Sequence, residues 1–196
     1  MNLYFAPGAC SLADHIALHE AGLNFEAVQV DLRAKTLKDG RDYKQINPKG
    51  YVPALQFDDG HVLTENIAIL NWIADQSEAL KPANSFAAMR QLEMLAFIST
   101  EIHKSFGPLF NPNTPDADKE ATRNKIIGRM GIVAEKLKTS DYLLGEAVST
   151  ADCYLFVMLM WAKRMNLTPP EPLPAFFARM SERPAVQAAL KHEGLA

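Results

Sequence analysis

The strongest constraint on what this chain can fold into is a change of period near Gln76. Before it, strand-like and helix-like segments alternate; after it the strand signals stop. NLYFA is a short β-rich run, residues Ser11 to Ala21 carry apolar positions at Leu12, Ile16 and Ala17 with Gly22 as a stop, and FEAVQVD alternates again. That is a βαβ opening. VPALQFDDGHVLT then offers two short strands about Asp59-Gly60, a hairpin signal, and ENIAILNWIADQ supplies a further amphipathic helix. The polar, proline-containing SEALKPANS reads as a connection. Beyond it Met89, Leu92, Leu95, Ala96, Ile102 and Phe106 recur at helical spacing, as do Ile126, Ile127, Met130, Val133, Ala134 and Leu137. Residues 151–165 are apolar on nearly every side and predict a helix buried within a bundle. The predicted fold class is α/β plus all-α: a βαβ-ββα domain over residues 1–77, a linker over 78–84, and an all-helical domain over 85–196.

With 196 residues, 48% of them hydrophobic, the chain can bury a sizeable core in one or two domains. A net charge of -3 without any block of like charge gives no pull toward nucleic acid or anionic lipid. The N-terminus lacks the pattern of a signal peptide, and the longest apolar run, ADCYLFVMLMWA, is shorter than the ~20 residues that span a bilayer. No membrane association and a cytoplasmic location are expected. Cys10 and Cys153 are too far apart in sequence to form a metal-ligand cluster, and two cysteines make no disulfide framework, so both are expected as thiols and no metal site is expected.

Several short motifs bear on chemistry. Ser11 and Asp14 have the S-x-x-D spacing of a capping box, which predicts Ser11 as N-cap and puts Cys10 just outside a helix N-terminus. Unpaired N–H groups and the helix dipole there favour a thiolate and lower the thiol pKa. A buried structural cysteine is the competing reading, and position alone does not separate the two. The absence of a second cysteine in CSLA means that any partner thiol comes from outside. In NPKGYVPAL, Pro53 directly before a strand predicts a strand-opening or cis proline, leaving the N–H and C=O of Val52 to pair with an extended, peptide-like ligand; an ordinary loop proline is the alternative. In LTENIA, Glu65 and Asn66 are suited to hold an ammonium or a carboxylate beside helix N–H groups, with plain capping as the alternative. In GEAVSTAD, Ser149 and Asp152 form a second capping box, with Val148 and Cys153 placed as a hydrophobic staple, and this motif reads as structural. Cys153 itself reads as a small core hydrophobe.

Taken together, LYFAPGACSLADHIALHEAGL, NPKGYVPAL, LTENIAI, TEIHKSFGPLF and GEAVSTADCYLF resemble, in order and over essentially the whole chain, the bacterial beta class of the cytosolic glutathione transferases. The resemblance implies a thioredoxin-like N-terminal domain, a helical C-terminal domain and a homodimer. It implies glutathione as co-substrate, conjugated to a small hydrophobic electrophile in a detoxification role, with Cys10 able to form a mixed disulfide with glutathione. By the same resemblance Val52 pairs with the cysteinyl backbone of glutathione beside the cis-proline Pro53, and Glu65 and Asn66 meet its γ-glutamyl end. Lys35 reaches the glycyl carboxylate, while His103 and Lys104 supply positive charge or proton transfer. Ser11 is a secondary hydrogen-bond donor. The electrophile pocket is expected near Phe106, Leu109, Phe110 and Trp161. Two residues depart from the class pattern: Asn66 stands where a serine is usual, and Ala96 where a polar residue is expected. A glutathione-dependent disulfide reductase or peroxidase, and a non-catalytic ligand-binding protein of the same fold, are the alternative functions.

Overall fold

The computed structural model describes residues 1–196, which divide into two compact units, Met1–Lys81 with Glu182–Ala196, and Pro82–Ser181. In the first unit, β1 (Asn2–Phe5), β2 (Glu26–Asp31), β3 (Thr36–Leu37), β4 (Ala54–Gln56) and β5 (Val62–Thr64) form one sheet in the order β3-β2-β1-β4-β5. β1 pairs parallel with β2, from Asn2 opposite Glu26 to Phe5 opposite Gln29, and antiparallel with β4, where Leu3 faces Leu55. Three consecutive residues of β1, Leu3, Tyr4 and Phe5, are buried, as a central strand covered on both faces requires. Tyr4 and Ala6 join Val30, Ala54 and Tyr43 in one apolar cluster. On the other face, the Phe5 ring meets those of His15 and His192.

Helix α1 (Leu12–Glu20) is buried from Leu12 through Leu18 because it packs against β1, α2 (Asn66–Asp75) and a helix from the far end of the chain. The β4–β5 hairpin turns through Phe57–His61, with Gly60 at φ 88°, a left-handed conformation that glycine adopts without strain. The pair of residues forming β3 lies in the stretch that sequence periodicity leaves irregular; two residues are too few to show a period.

In the second unit, α3 (Ser85–Phe97) continues through a π-helical segment, Ile98–His103, and a 3-10 turn, Lys104–Phe106, into the short α4 (Gly107–Phe110). It is followed by α5 (Asp116–Lys136), α6 (Thr150–Arg164) and α7 (Leu173–Ser181). Helix α6 is the buried helix expected from sequence, with every residue from Thr150 to Leu159 inside. Its capping box forms: the Asp152 carboxylate accepts from the Ser149 N–H and hydroxyl at 2.8 and 2.6 Å, and from the Leu143 N–H at 2.8 Å. Burial still pushes the Asp152 pKa up, to about 6. Cys153 beside it is fully buried, as a core residue. No helix is long and apolar enough to cross a membrane.

Two sequence expectations change. The last helix, α8 (Pro184–His192), falls by chain position in the segment expected to be all-helical, yet it belongs to the sheet unit and packs on α1. The Ser11–Asp14 capping box does not form. Ser11 has helical dihedrals (φ -58°, ψ -18°) rather than the extended ones an N-cap needs, and makes no side-chain cap bond. Its hydroxyl turns back on the Ala6 N–H, 3.2 Å away. Asp14 is left with both carboxyl oxygens buried and unpaired, and burial holds its pKa well above the usual carboxylate range.

Asp152→Ala leaves three buried donors without their acceptor. It is expected to cost about 3 kcal/mol, lowering the unfolding midpoint by roughly 6–12 °C in thermal denaturation followed by circular dichroism; a loss under ~1 kcal/mol would mean that water replaces the carboxylate.

Candidate active site

The turn from Ala6 to Ser11 links β1 to α1 and carries Cys10. It is fastened at several points: Ala9 N–H donates to the Ala6 carbonyl at 3.0 Å, Ser11 caps Ala6, and the Asn66 side-chain N–H donates to the Cys10 carbonyl at 3.0 Å. The Cys10 thiol donates to the Val52 carbonyl, 3.5 Å away. The Val52–Pro53 peptide is cis and directly precedes β4. The segment leading to it is held by Tyr43 Oη and Asn47 Nδ2, which donate to the Tyr51 carbonyl at 3.0 and 2.7 Å. The fold thus brings Cys10, Ser11, Val52, Pro53 and Asn66 together.

Cys10 does not have the lowered pKa expected from its place at a helix N-terminus. Burial and the Asp14 carboxyl push the thiol up to about 12, with Glu65 adding in the same direction, and the backbone N–H groups of Cys10 and Ser11 pull against them without prevailing. At neutral pH Cys10 is a thiol and a hydrogen-bond donor.

Glu65 precedes α2 with φ 75°, in the left-handed region that side-chain-bearing residues seldom adopt. Such strain is found where a side chain must be aimed. Its carboxylate makes no cap bond; it accepts from Tyr51 Oη at 2.6 Å and pairs with the Lys49 ammonium. Lys49 and Tyr51 were not singled out from sequence, although both lie in NPKGYVPAL; nothing in their spacing reveals that the chain turns them onto Glu65. Asn66, expected with Glu65 at the γ-glutamyl end of the ligand, has its side-chain N–H on the Cys10 carbonyl and is buried. Lys35 also has a positive φ, 60°, and its ammonium donates to the Gly50 carbonyl at 2.7 Å.

In the helical unit, His103 ends the π-helical segment; such segments are frequent at functional sites. Its Nδ1 shares a 2.5 Å hydrogen bond with the Tyr154 hydroxyl, and its ring stands edge-on to Trp161 at 4.9 Å. Burial and the neighbouring Lys104 ammonium lower its pKa to about 4. At pH 7 the His103 imidazole is therefore neutral, which removes the first of its two expected roles, positive charge or proton transfer; Lys104 next to it is exposed. Phe106 and Phe110 join Trp161 in an aromatic cluster with centroids 5.0 to 6.1 Å apart. Ala96 has no polar side chain to offer, and its carbonyl accepts from Thr100 Oγ1.

Comparison with known proteins places this geometry. The description "Glutathione S-transferase, N-terminal domain" matches residues 9–76, and "Glutathione S-transferase, C-terminal domain" matches residues 97–184. The chain is 46% identical to the glutathione S-transferase GstA of Escherichia coli O157:H7 over the full length of both. Among solved structures, a sphingomonad glutathione S-transferase complexed with glutathione is 44% identical at a TM-score of 0.93, covering all of both chains. A bacterial beta-class glutathione S-transferase from Sphingomonas chungbukensis is 42% identical at a TM-score of 0.92, again over all of both. The chain belongs to the glutathione S-transferase family, and within it is similar to the bacterial beta class.

Proposed function

We propose that this protein conjugates the thiol of glutathione to small hydrophobic electrophiles, with Cys10 as the residue next to the glutathione sulfur. The observation that carries this reading is the Cys10 thiol donating to the carbonyl of Val52, the residue whose backbone the family resemblance assigns to the cysteinyl part of glutathione. Glu65 is the group for the γ-glutamyl ammonium, and Lys35 for the glycyl carboxylate. With a thiol that stays protonated at pH 7, Cys10 acts first by donating a hydrogen bond to the glutathione sulfur, which favours its thiolate. His103, neutral, serves as a hydrogen-bonding or proton-accepting group rather than as a cation. The aromatic cluster about Trp161 is the apolar surface for the electrophile. Glutathione titrated calorimetrically is expected to bind below millimolar concentration, and Glu65→Gln to bind it about tenfold more weakly, the loss of one charge-assisted contact. No heat of binding at millimolar glutathione would instead favour a non-catalytic protein of the same fold.

A mixed disulfide forms when the Cys10 thiolate attacks glutathione disulfide, making one S–S bond, breaking another and releasing glutathione as thiolate. Because the Cys10 pKa is about 12, the thiolate fraction grows about tenfold for each pH unit between 7 and 10. The rate of Cys10 labelling by iodoacetamide is expected to follow that slope without levelling off, and conjugation of an aryl halide to survive Cys10→Ala while mixed-disulfide formation is lost. A plateau near pH 8, with conjugation abolished in Cys10→Ala, would assign Cys10 a thiolate role and move the reading toward disulfide reduction.

We also infer a homodimer. Phe86, Met89 and Leu92 lie three residues apart on α3, with Phe86 73% and Met89 58% exposed. Leaving such a stripe in water is unfavourable, and a second copy offers the same face. Light scattering is expected to report a dimer for the native chain and a monomer for Phe86→Glu.

A further inference from the structure

The Cys10 turn has one fastening from the far end of the sequence. Glu193 is the residue that ends α8, where Gly194 at φ 70° and the Leu195 N–H bonded to the Leu190 carbonyl close the helix in a Schellman turn. This fixes the direction of the Glu193 side chain, which has no exposure to solvent. One carboxylate oxygen accepts from the Gly8 N–H at 2.9 Å, and the other from Nδ1–H of His15 at 2.9 Å. Burying a carboxylate is costly unless donors replace its water, and here the donors are the backbone two residues before Cys10 and a side chain five residues after it. Gly8 itself is at φ 67°, so the turn is held in a conformation that few other residues accept.

Docking of α8 on α1 does not by itself account for this arrangement. A second clamp, Arg183 with Glu20 at 2.5 and 2.8 Å, joins the start of α8 to the end of α1. Of the two clamps, the Glu193 carboxylate is the one bonded to the turn that presents the thiol, through the Gly8 N–H. We propose that Glu193 is a positioning residue for Cys10, setting the conformation of the Gly8–Cys10 backbone and through it the exposure of the thiol and the fit of glutathione. The second part of this rests on the reading of Cys10 as part of the glutathione site.

The experiment compares Glu193→Ala, Glu193→Gln and Arg183→Ala in the full-length chain, well below their unfolding midpoints. Iodoacetamide labelling of Cys10 is followed by mass spectrometry with buried Cys153 as internal reference, and KM for glutathione is measured apart from kcat. Glu193→Ala is expected to speed Cys10 labelling at least threefold and to raise KM at least threefold with kcat within twofold. Glutamine can accept from Gly8 through its carbonyl and, with the His15 proton moved from Nδ1 to Nε2, donate to the vacated Nδ1 through its amide, so Glu193→Gln is expected to stay within twofold of the native chain on both measures. Arg183→Ala is expected to lower the unfolding midpoint while leaving Cys10 labelling unchanged. A smaller rise in labelling for Glu193→Ala, or an equal rise for Arg183→Ala, overturns the proposal whatever KM does. Faster labelling with unchanged KM keeps Glu193 as the positioning residue and removes Cys10 from the glutathione site. Should Glu193→Ala not fold, Glu193→Asp, one methylene shorter, takes its place under the same criteria.

Discussion

The site depends on hydrogen bonds to one piece of backbone, the turn from Ala6 to Ser11. It lies between the sheet and the helix it joins, and regular bonding reaches it only at its end, where the Cys10 and Ser11 carbonyls accept the first bonds of α1. Its order comes from separate groups: the Ser11 hydroxyl on Ala6, the Asn66 amide on the Cys10 carbonyl, the Glu193 carboxylate on Gly8. Each bond contributes on the order of 1 kcal/mol net. Removing one partner costs more than that, because the group left behind is buried. The turn is stable as a set of obligations, and the thiol inherits its position from all of them.

The same burial that orders the turn sets the charges. Cys10 is pushed up, Asp14 is pushed up, and in the helical unit His103 is pushed down, each chiefly because its charged form is denied water. Cys10 and His103, which a sequence reading would charge, are kept neutral at pH 7. Nearer solvent, Glu65 pairs with Lys49, and Lys104 is exposed. Under the proposed reading, activation of glutathione comes from donated hydrogen bonds and not from an anion or cation at Cys10 or His103.

Periodicity carried most of the fold. Alternation located β1, β2 and the β4–β5 hairpin, and the unbroken apolar run located α6 together with its Ser149–Asp152 cap. The junction residues Cys10, Val52 and Asn66, read as separate weak features, do meet in space. What stayed hidden depends on dihedrals and depth, which spacing does not encode. S-x-x-D occurs at both residues 11–14 and 149–152, yet only Ser149 takes the extended conformation that lets its side chain reach the third amide. The Cys10 pKa follows chiefly from burial, with the Asp14 carboxyl adding to it. The grip of Tyr51 and Lys49 on Glu65 follows from a positive φ at Glu65 that a glutamate in a sequence does not announce.

The placement of α8 has a consequence for how the chain is made. The contacts of Glu193 with Gly8 and of Arg183 with Glu20 join residues 185 and 163 positions apart, so the sheet unit is discontinuous and the helical unit is an insertion within it. During synthesis β1 and α1 leave the ribosome well before α8, and one side of α1 waits for that helix. At about 5–20 residues per second that interval is of the order of ten seconds or more. Through it His15 and the Gly8 amide have no carboxylate to bind. A βα unit made early is completed only when a helix from beyond the inserted unit arrives.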